Sequence, residues 1–170
     1  MIPEKLIGFA VYNEGADLLG IVDATVSAFQ ALSETVKGAG LAGEYNSPTL
    51  GHYGSITVTL TWRTVTKEGA TLLANNGHEL ELRGSIQVRD PATSKLSSKP
   101  LKFAIRGNGL SFDPGKLDMA TVQGTTSVIE VAYIKMTYDG EEIFELDKFN
   151  YICKINGVDV MESVRSDLGK

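Results

Sequence analysis

One stretch constrains the fold more than any other: residues 127–157 form the densest run of β-branched and aromatic side chains in the chain. Two apolar-rich segments in this stretch flank Asp139 and Gly140. A two-residue type I′ turn requires positive φ at both central positions, and Asp-Gly is one of the pairs that favour it. The sequence therefore predicts a long β-hairpin here, with which the other strands must pair or pack.

The clearest strand outside this hairpin spans residues 55–63. Ile56, Val58, Leu60 and Trp62 alternate there with threonine and arginine residues, and a period of two places the four apolar side chains on one face. A further strand is predicted over 31–37. Similar runs predict two more hairpins: 6–12 with 18–29 around a turn at 13–15, and 79–90 with 101–112, the latter with an exposed tip over 90–100 and a β-bulge at Gly84.

Two short helices complete the prediction. Thr66 is placed to cap a helix over 66–74, with Gly77 beyond its end. Asp159 and Glu162 have the spacing of a capping box for a terminal helix that stops at Gly169. The predicted fold class is mainly β, an antiparallel β-sandwich or barrel with one short internal helix and a short C-terminal helix. The chain of 170 residues suits one domain, residues 1–170.

Charge and composition exclude several classes of partner. The formal net charge of −5 disfavours non-specific binding to nucleic acid and to anionic membranes. No apolar run approaches the roughly 20 residues of a membrane span, so no membrane anchor is expected. The start of the chain lacks the pattern of a signal peptide, which predicts a cytoplasmic product. Cys153 is the only cysteine, so it is expected to be a buried apolar residue.

The sequence gives no support for catalysis, a cofactor or a metal site. Gly38, Gly40 and Gly43 match G-x-G-x-x-G, but the pattern requires a helix directly afterwards, and turn-forming residues follow instead. His52 and His78 have no partner at a zinc-binding spacing. The acidic residues after Asp139 lack the order of a calcium loop. Three of them share a strand parity opposite to Phe144 and Leu146 and predict a solvated face: Glu141, Glu145 and Asp147.

Residues 38–54 form a glycine-rich stretch without a clear period and are predicted to be a long loop. Leu41, Tyr45, Leu50 and Tyr53 give this loop apolar surface to bury. Two interpretations remain open: the loop folds on its own domain, or it packs on a neighbouring subunit.

Short motifs in the C-terminal third resemble the major tail tube proteins of contractile-tailed phages and of the related phage-tail-like (R-type) bacteriocins. The upstream segments 37–40 and 105–107 fall where that family has similar motifs. The positions that carry the resemblance are Tyr133, Met136, Asp139-Gly140-Glu141, Glu145-Leu146-Asp147, Asn150, Lys154, Asn156-Gly157-Val158-Asp159 and the ending 165–169.

The resemblance implies a structural protein that self-assembles. Members form hexameric rings that stack into a hollow tube inside a contractile sheath, with strands of adjacent subunits joined into one barrel. The implied partners are other copies of the chain, the sheath protein, and baseplate and tail-terminator proteins, with DNA passing through the lumen without specific binding. The implied location is a virion or a phage-tail-like particle, assembled in the bacterial cytoplasm. The resemblance leaves DNA-delivering phages and headless bacteriocins as alternatives.

The resemblance also assigns roles to residues. The expected lumen-facing residues are Glu141, Glu145 and Asp147, and an acidic lumen wall would let DNA slide by repelling its phosphates. A monomeric β-sandwich that binds carbohydrate or protein through the 38–54 and 90–100 loops is the alternative. The expected inter-ring and inter-subunit contacts are Gly38, Gly40, Leu41, Tyr45, Leu50, Tyr53, Val160 and Met161.

Overall fold

The computed structural model describes all residues, 1–170, and consists of twelve β-strands and two short helices. In chain order the elements are β1 Ile2–Asn13, β2 Ala16–Asp17, β3 Ile21–Val26, β4 Ala31–Val36, β5 Tyr45–Tyr53, β6 Thr57–Trp62, α1 Lys67–Thr71, β7 His78–Arg89, β8 Leu96–Asp113, β9 Thr125–Tyr138, β10 Glu141–Asp147, β11 Ile152–Ile155, β12 Val158–Asp159 and α2 Glu162–Asp167.

The main sheet has the antiparallel order β12-β11-β10-β9-β8-β7-β1-β2 and branches at β9. One edge of β9 pairs with β8 along most of its length, while the other edge pairs with β6 over 125–130 and with β10 over 133–138. Strand β3 pairs with β6 and extends this second branch. Because β2 and β12 do not pair with each other, the sheet is open, and the fold is a sandwich-like antiparallel sheet without a closed barrel.

The core lies between the two branches of the sheet. The period-two face predicted for the strand at 55–63 is confirmed, because its four apolar residues are fully buried. They pack with the inward residues of the main sheet, among which Cys153 is also fully buried, as predicted. The largest buried side chains are Trp62, Ile56, Leu60, Leu72, Ile105, Ile129, Ile134 and Met161.

The Asp139–Gly140 hairpin is confirmed as the pair β9 and β10. Tyr138 pairs directly with Glu141, which leaves a two-residue turn. Asp139 has φ 52° and Gly140 has φ 85°, as a type I′ turn requires. This turn fixes the register of the strand that carries the acidic residues.

The two other predicted hairpins are only partly correct. Strand β2 pairs with β1 at two positions, and the chain then crosses to the other branch as β3. The second hairpin forms, but its tip is shorter than predicted because Arg89 already pairs with Leu96. No bulge lies at Gly84; the register shifts fall in β1 instead. A Cβ at Gly84 would lie 2.8 Å from Leu6 Cδ1, the end of a flexible side chain that is half exposed.

The loop predicted over 38–54 is mostly strand. Residues 45–53 form β5, which pairs with β4 as a separate two-stranded sheet. Pro48 and Gly51 hid this strand because proline and glycine are rare in strand interiors, but proline is tolerated in a ribbon that has open edges.

Both predicted helices are present. Thr66 caps α1, and its Oγ1 accepts a hydrogen bond from Gly69 N at 3.0 Å. The predicted capping box of α2 is wrong, because Met161 holds the N-cap position. Asp159 instead accepts from Met161 N at 3.0 Å and forms an ion pair with Arg165. Neither helix has the length to cross a membrane.

Candidate functional site

Strands β4 and β5 form a β-hairpin arm that pairs with no other strand. Val36 pairs with Tyr45 near its tip and Ala31 with Tyr53 at its base. The Thr35 hydroxyl donates to Asn46 Oδ1 at 2.8 Å across the arm. Most of its residues are exposed, so the arm has little of a core of its own. Isolated two-stranded hairpins are marginally stable, so this arm needs support at its base or along its length.

The base of the arm is held by aromatic and sulfur contacts with the main sheet. The Tyr53 ring meets Phe144 edge to face at 5.9 Å, and Phe29 stacks on the same ring at 4.9 Å. A Cβ at Gly51, which has φ 65°, would lie 2.2 Å from Met161 Sδ. Glycine is therefore required where the arm crosses the start of α2. The arm leaves the body of the protein from a fixed, buried base.

The predicted contact residues fall into two groups. Tyr53, Val160 and Met161 pack within the chain's own core, with Met161 only 2% exposed. Leu41, Tyr45 and Leu50 are 48%, 59% and 56% exposed along the arm. Gly38 and Gly40 lie in the turn at its tip, where both have positive φ. Among the predicted contact residues, only those on the outer part of the arm are therefore open to a second subunit.

The face of the main sheet opposite the core carries charges of alternating sign. Lys135 Nζ lies 3.0 Å from Glu142 and 3.7 Å from Glu145. The hydrogen bond to Glu142 raises the pKa of Lys135. One row of paired residues runs from β7 through β12 and, apart from Ala104, alternates acid with base: Glu81, Ala104, Lys135, Glu145, Lys154 and Asp159.

A bulge changes which acidic residues share this face. The register of β9 and β10 shifts between Glu142 and Phe144, which makes Ile143 an extra residue. Glu142, rather than Glu141, therefore lies beside Glu145. The shared parity predicted for Glu141 and Glu145 is wrong, because Glu141 pairs with Tyr138 on the other face.

Asp147 belongs to a turn rather than to a solvated row. It is 6% exposed, and its carboxylate accepts hydrogen bonds from Phe149 N, Asn150 N and Asn150 Nδ2. Arg106 lies 3.9 Å from it and stacks over the Tyr133 ring at 4.2 Å. The predicted wet acidic strand is thus a row of compensated charges with one buried turn carboxylate.

The main sheet has a long free edge along β1. Only Tyr12 and Asn13 pair with β2, so the outer backbone edge of residues 2–10 has no strand beside it. At the far end, β12 contributes only two residues. Free edges with exposed apolar residues are sites where another chain can pair. The sequence signal for this edge was weak because Leu6 and Ile7 are adjacent apolar residues that break a period of two.

A second exposed surface, which the sequence did not predict, lies on the loop between β8 and β9. Residues 114–124 connect β8 and β9, and Leu117 and Met119 in this loop are 88% and 91% exposed. The sequence sign of this surface is the presence of apolar residues in a turn-rich segment, between Pro114 and Gly124, where no strand or helix could bury them.

Neither histidine is arranged for catalysis. Nε2 of His78 lies 2.8 Å from Ala74 O, and Nδ1 of His52 lies 2.7 Å from Leu50 O. Burial raises the pKa of the Cys153 thiol, which disfavours the reactive thiolate. No group of three or more His, Cys, Asp or Glu residues is arranged to hold a metal ion. The surfaces that stand out are for contact rather than for chemistry.

Comparison with known proteins agrees with this conclusion. The family model of the phage tail tube protein FII matches residues 3–169. The tail tube protein of Escherichia phage P2 is 35% identical over 71 residues, which cover 41% of this chain and 40% of the phage P2 protein. The match along nearly the whole chain places it in one family: the chain belongs to the phage tail tube proteins, which are structural proteins of the virion tail rather than enzymes.

Proposed function

We propose that this chain assembles into hexameric rings that stack to form the hollow inner tube of a contractile phage tail or of a phage-tail-like bacteriocin. The observation that carries the proposal is the family match over residues 3–169. The tube is a conduit that a contractile sheath drives through the target cell envelope. The partners are the sheath, baseplate and tail-terminator proteins, and the location is the assembled particle, put together in the bacterial cytoplasm.

The free edge of β1 supports contact within a ring. Residues 2–10 present unpaired backbone N–H and C=O groups next to exposed Ile2 and Leu6. Pairing this edge with the opposite end of a neighbour's sheet would satisfy those groups. Because the two edges differ, the contact is heterologous and closes into a ring only if the rotation returns to its start.

The β4–β5 arm supports contact between rings. Its tip presents Leu41 and Tyr45 on a hairpin whose base is fixed by Tyr53 and Met161. A second subunit packed along the arm would bury these side chains and stabilise a hairpin that has no other cover. We therefore propose that Leu41, Tyr45 and Leu50 contact a subunit of the neighbouring ring.

The face with alternating charges is the proposed lumen wall. Of the acidic residues expected to face the lumen, Glu145 lies on this face, but Lys135 lies between Glu142 and Glu145 and compensates their charge. A wall of paired charges has little net field, so DNA phosphates would find neither a strong attraction nor a strong repulsion. The low field suits a conduit that transmits cargo without binding it.

The test is negative-stain electron microscopy of the concentrated protein, with the double variant Leu41→Ser/Tyr45→Ser beside it. We expect tubes or six-fold rings from the unaltered chain, and rings without long tubes from the variant. Leu19→Ser removes an apolar residue that is 78% exposed away from the arm and serves as the control. Persistent monomers of the unaltered chain would contradict the tube, rings of another symmetry would contradict the hexamer, and equal tube loss in variant and control would contradict the role of the arm.

A further inference from the structure

The main sheet divides along one edge of β9, and the β4–β5 arm joins the protein at this division. Val131 N donates to Ile56 O at 2.8 Å, which completes the pairing of β9 with the segment that follows the arm. The next residue, Ala132, accepts through its carbonyl oxygen from Lys148 N at 3.2 Å, directly after the end of β10. Adjacent residues of β9 therefore bind the two chain segments that diverge here.

Lys148 bridges this division with its side chain. Its Nζ donates to Gly54 O at 2.9 Å and lies 3.9 Å from Glu130 Oε1. The Ser55 hydroxyl donates to Oε2 of the same carboxylate at 2.7 Å. Gly54 directly follows β5, and its N–H donates to Gln30 O at 2.9 Å across the base of the arm. Lys148 therefore connects the end of β10 to the residue that closes the arm.

Packing alone leaves space at the base of the arm. Beside the aromatic and sulfur contacts, a cleft of about 200 Å³ lies between the arm and the body of the protein. Gly51, His52 and Tyr53 line it from the arm, and Lys148 and Tyr151 line it from the body. The Lys148 side chain is only 26% exposed, so water screens its contacts less than those of a fully exposed ion pair. Its contacts thus add a restraint that packing does not supply.

The single cysteine of the chain lies next to the base of the arm. Cys153 is fully buried, and Tyr53 packs against the core cluster that contains it. Burial raises the pKa of Tyr53, and the neighbouring Cys153 thiol adds to this rise. Because Tyr53 is the last residue of β5, an arm that moved away from the sheet would take this ring with it and expose the thiol.

We propose that the contacts of Lys148 Nζ with Gly54 O and Glu130 form a latch that holds the β4–β5 arm in one direction, and that release of this latch uncovers Cys153. A hydrogen bond from a charged donor is one of the stronger kinds, so a single side chain can hold the arm. The consequence for assembly rests on the proposed function. An arm with a preset direction loses less conformational entropy when a subunit of the neighbouring ring binds it.

Reaction of Cys153 with N-ethylmaleimide measures release of the arm in the dispersed protein. Lys148→Met keeps the length of the side chain and removes its charge and its donor. We expect this variant to react faster than the unaltered chain, on the order of tenfold to a hundredfold. Lys148→Arg retains a charged donor and should restore slow reaction. Glu130→Gln removes the charge of the second partner and should give a smaller increase in rate.

Two control variants separate release of the arm from other routes to the thiol. Lys135→Met removes a lysine of the same sheet that is paired with Glu142 and Glu145 instead, and its reaction rate should stay within about twofold of the unaltered chain. Ser127→Ala removes the buried acceptor of the Trp62 indole and lowers the stability of the whole fold. It leaves the latch in place, so the rate should again be unchanged.

The outcomes separate this inference from the proposed function. Equal reaction rates for Lys148→Met and Lys135→Met would overturn the latch. Equal acceleration by Ser127→Ala would also overturn it, because the thiol would then be reached only through unfolding of the whole chain. Lys148→Met should raise the critical concentration for tubes above that of Lys135→Met, and equal values would overturn the role of the latch in stacking. An unaltered chain that never assembles would contradict the tube and leave the labelling result, and with it the latch, intact.

Discussion

The replacement Ser127→Ala probes a buried hydrogen-bond relay between the two branches of the sheet. Trp62 Nε1 donates to Ser127 Oγ at 3.0 Å, and Ser127 Oγ donates to Gly69 O at 3.1 Å. Trp62 is fully buried and Ser127 is 1% exposed, so neither group has water as a substitute partner. The relay joins β6, β9 and α1, and alanine at 127 would break both of its bonds at once.

The structure sets the size of this effect. A buried donor left without a partner costs about 1–3 kcal/mol, and the Gly69 carbonyl also loses a donor. We therefore expect Ser127→Ala to lower the free energy of unfolding by about 2–4 kcal/mol. At roughly 2–4 °C per kcal/mol for a chain of this size, the thermal midpoint should fall by about 5–15 °C.

Thermal and urea unfolding of dispersed protein, followed by circular dichroism and tryptophan fluorescence, measure this change. Ser111→Ala on β8 is the matched control, because Ser111 is exposed and forms no side-chain hydrogen bond. Trp62→Phe in the Ser127→Ala background should cost less than Trp62→Phe alone, since the orphaned indole N–H is then absent. A Ser127→Ala variant within 0.5 kcal/mol of the control, roughly the scatter of surface substitutions, would refute the reasoning.

Two other predictions test the packing of the strands and the C-terminal ion pair. Gly107→Ala should yield no soluble folded protein, because its Cβ would lie 2.0 Å from Glu130 O. Gly8→Ala is the control and should fold normally, because a Cβ at Gly8 would have no atom within 4 Å. Comparable yields of the two variants in expression trials would contradict this prediction. Arg165 holds the pKa of the Asp159 carboxyl below its ordinary 3.8, so that pair stabilises the fold above this pH and the gain is lost as pH falls through the lower folded value. In urea titrations from pH 7 to pH 2, the advantage over Asp159→Asn should be constant near neutrality and shrink below about pH 3.8, and an advantage that persists at pH 2 would argue against the pair.

The sequence predicted those parts of the fold in which local pattern and burial agree. The alternation from Ile56 to Trp62 and the Asp139–Gly140 turn each have one physical interpretation, and both are confirmed. The bulge at Ile143 was missed because one extra residue inverts the parity of all that precedes it in the strand. The adjacent apolar pair Ile143 and Phe144 was the only local sign of it.

The arm shows a different limit of sequence patterns. Strand β5 contains Pro48 and Gly51, which suggest a loop when read residue by residue. A larger residue at position 51 would collide with Met161, more than a hundred residues away, because the arm crosses the start of α2 at that point. A residue type that is required by a contact distant in sequence leaves no periodic pattern from which the strand could be predicted.

The places where prediction failed are also the places where the single chain is incomplete. Leu6 and Ile7 are both about half exposed on a strand with a free edge, and Leu117 and Met119 are nearly fully exposed. In a protein that stays monomeric these residues would be unfavourable, since exposed apolar surface beside an unpaired strand edge promotes aggregation. For a member of a tail tube family they are expected, since contacts with other copies can supply what one chain lacks. Apolar residues in a sequence can be buried within the chain or by contact with another chain. Apolar residues that the single subunit leaves exposed are therefore the first candidates for contact surfaces in the assembly.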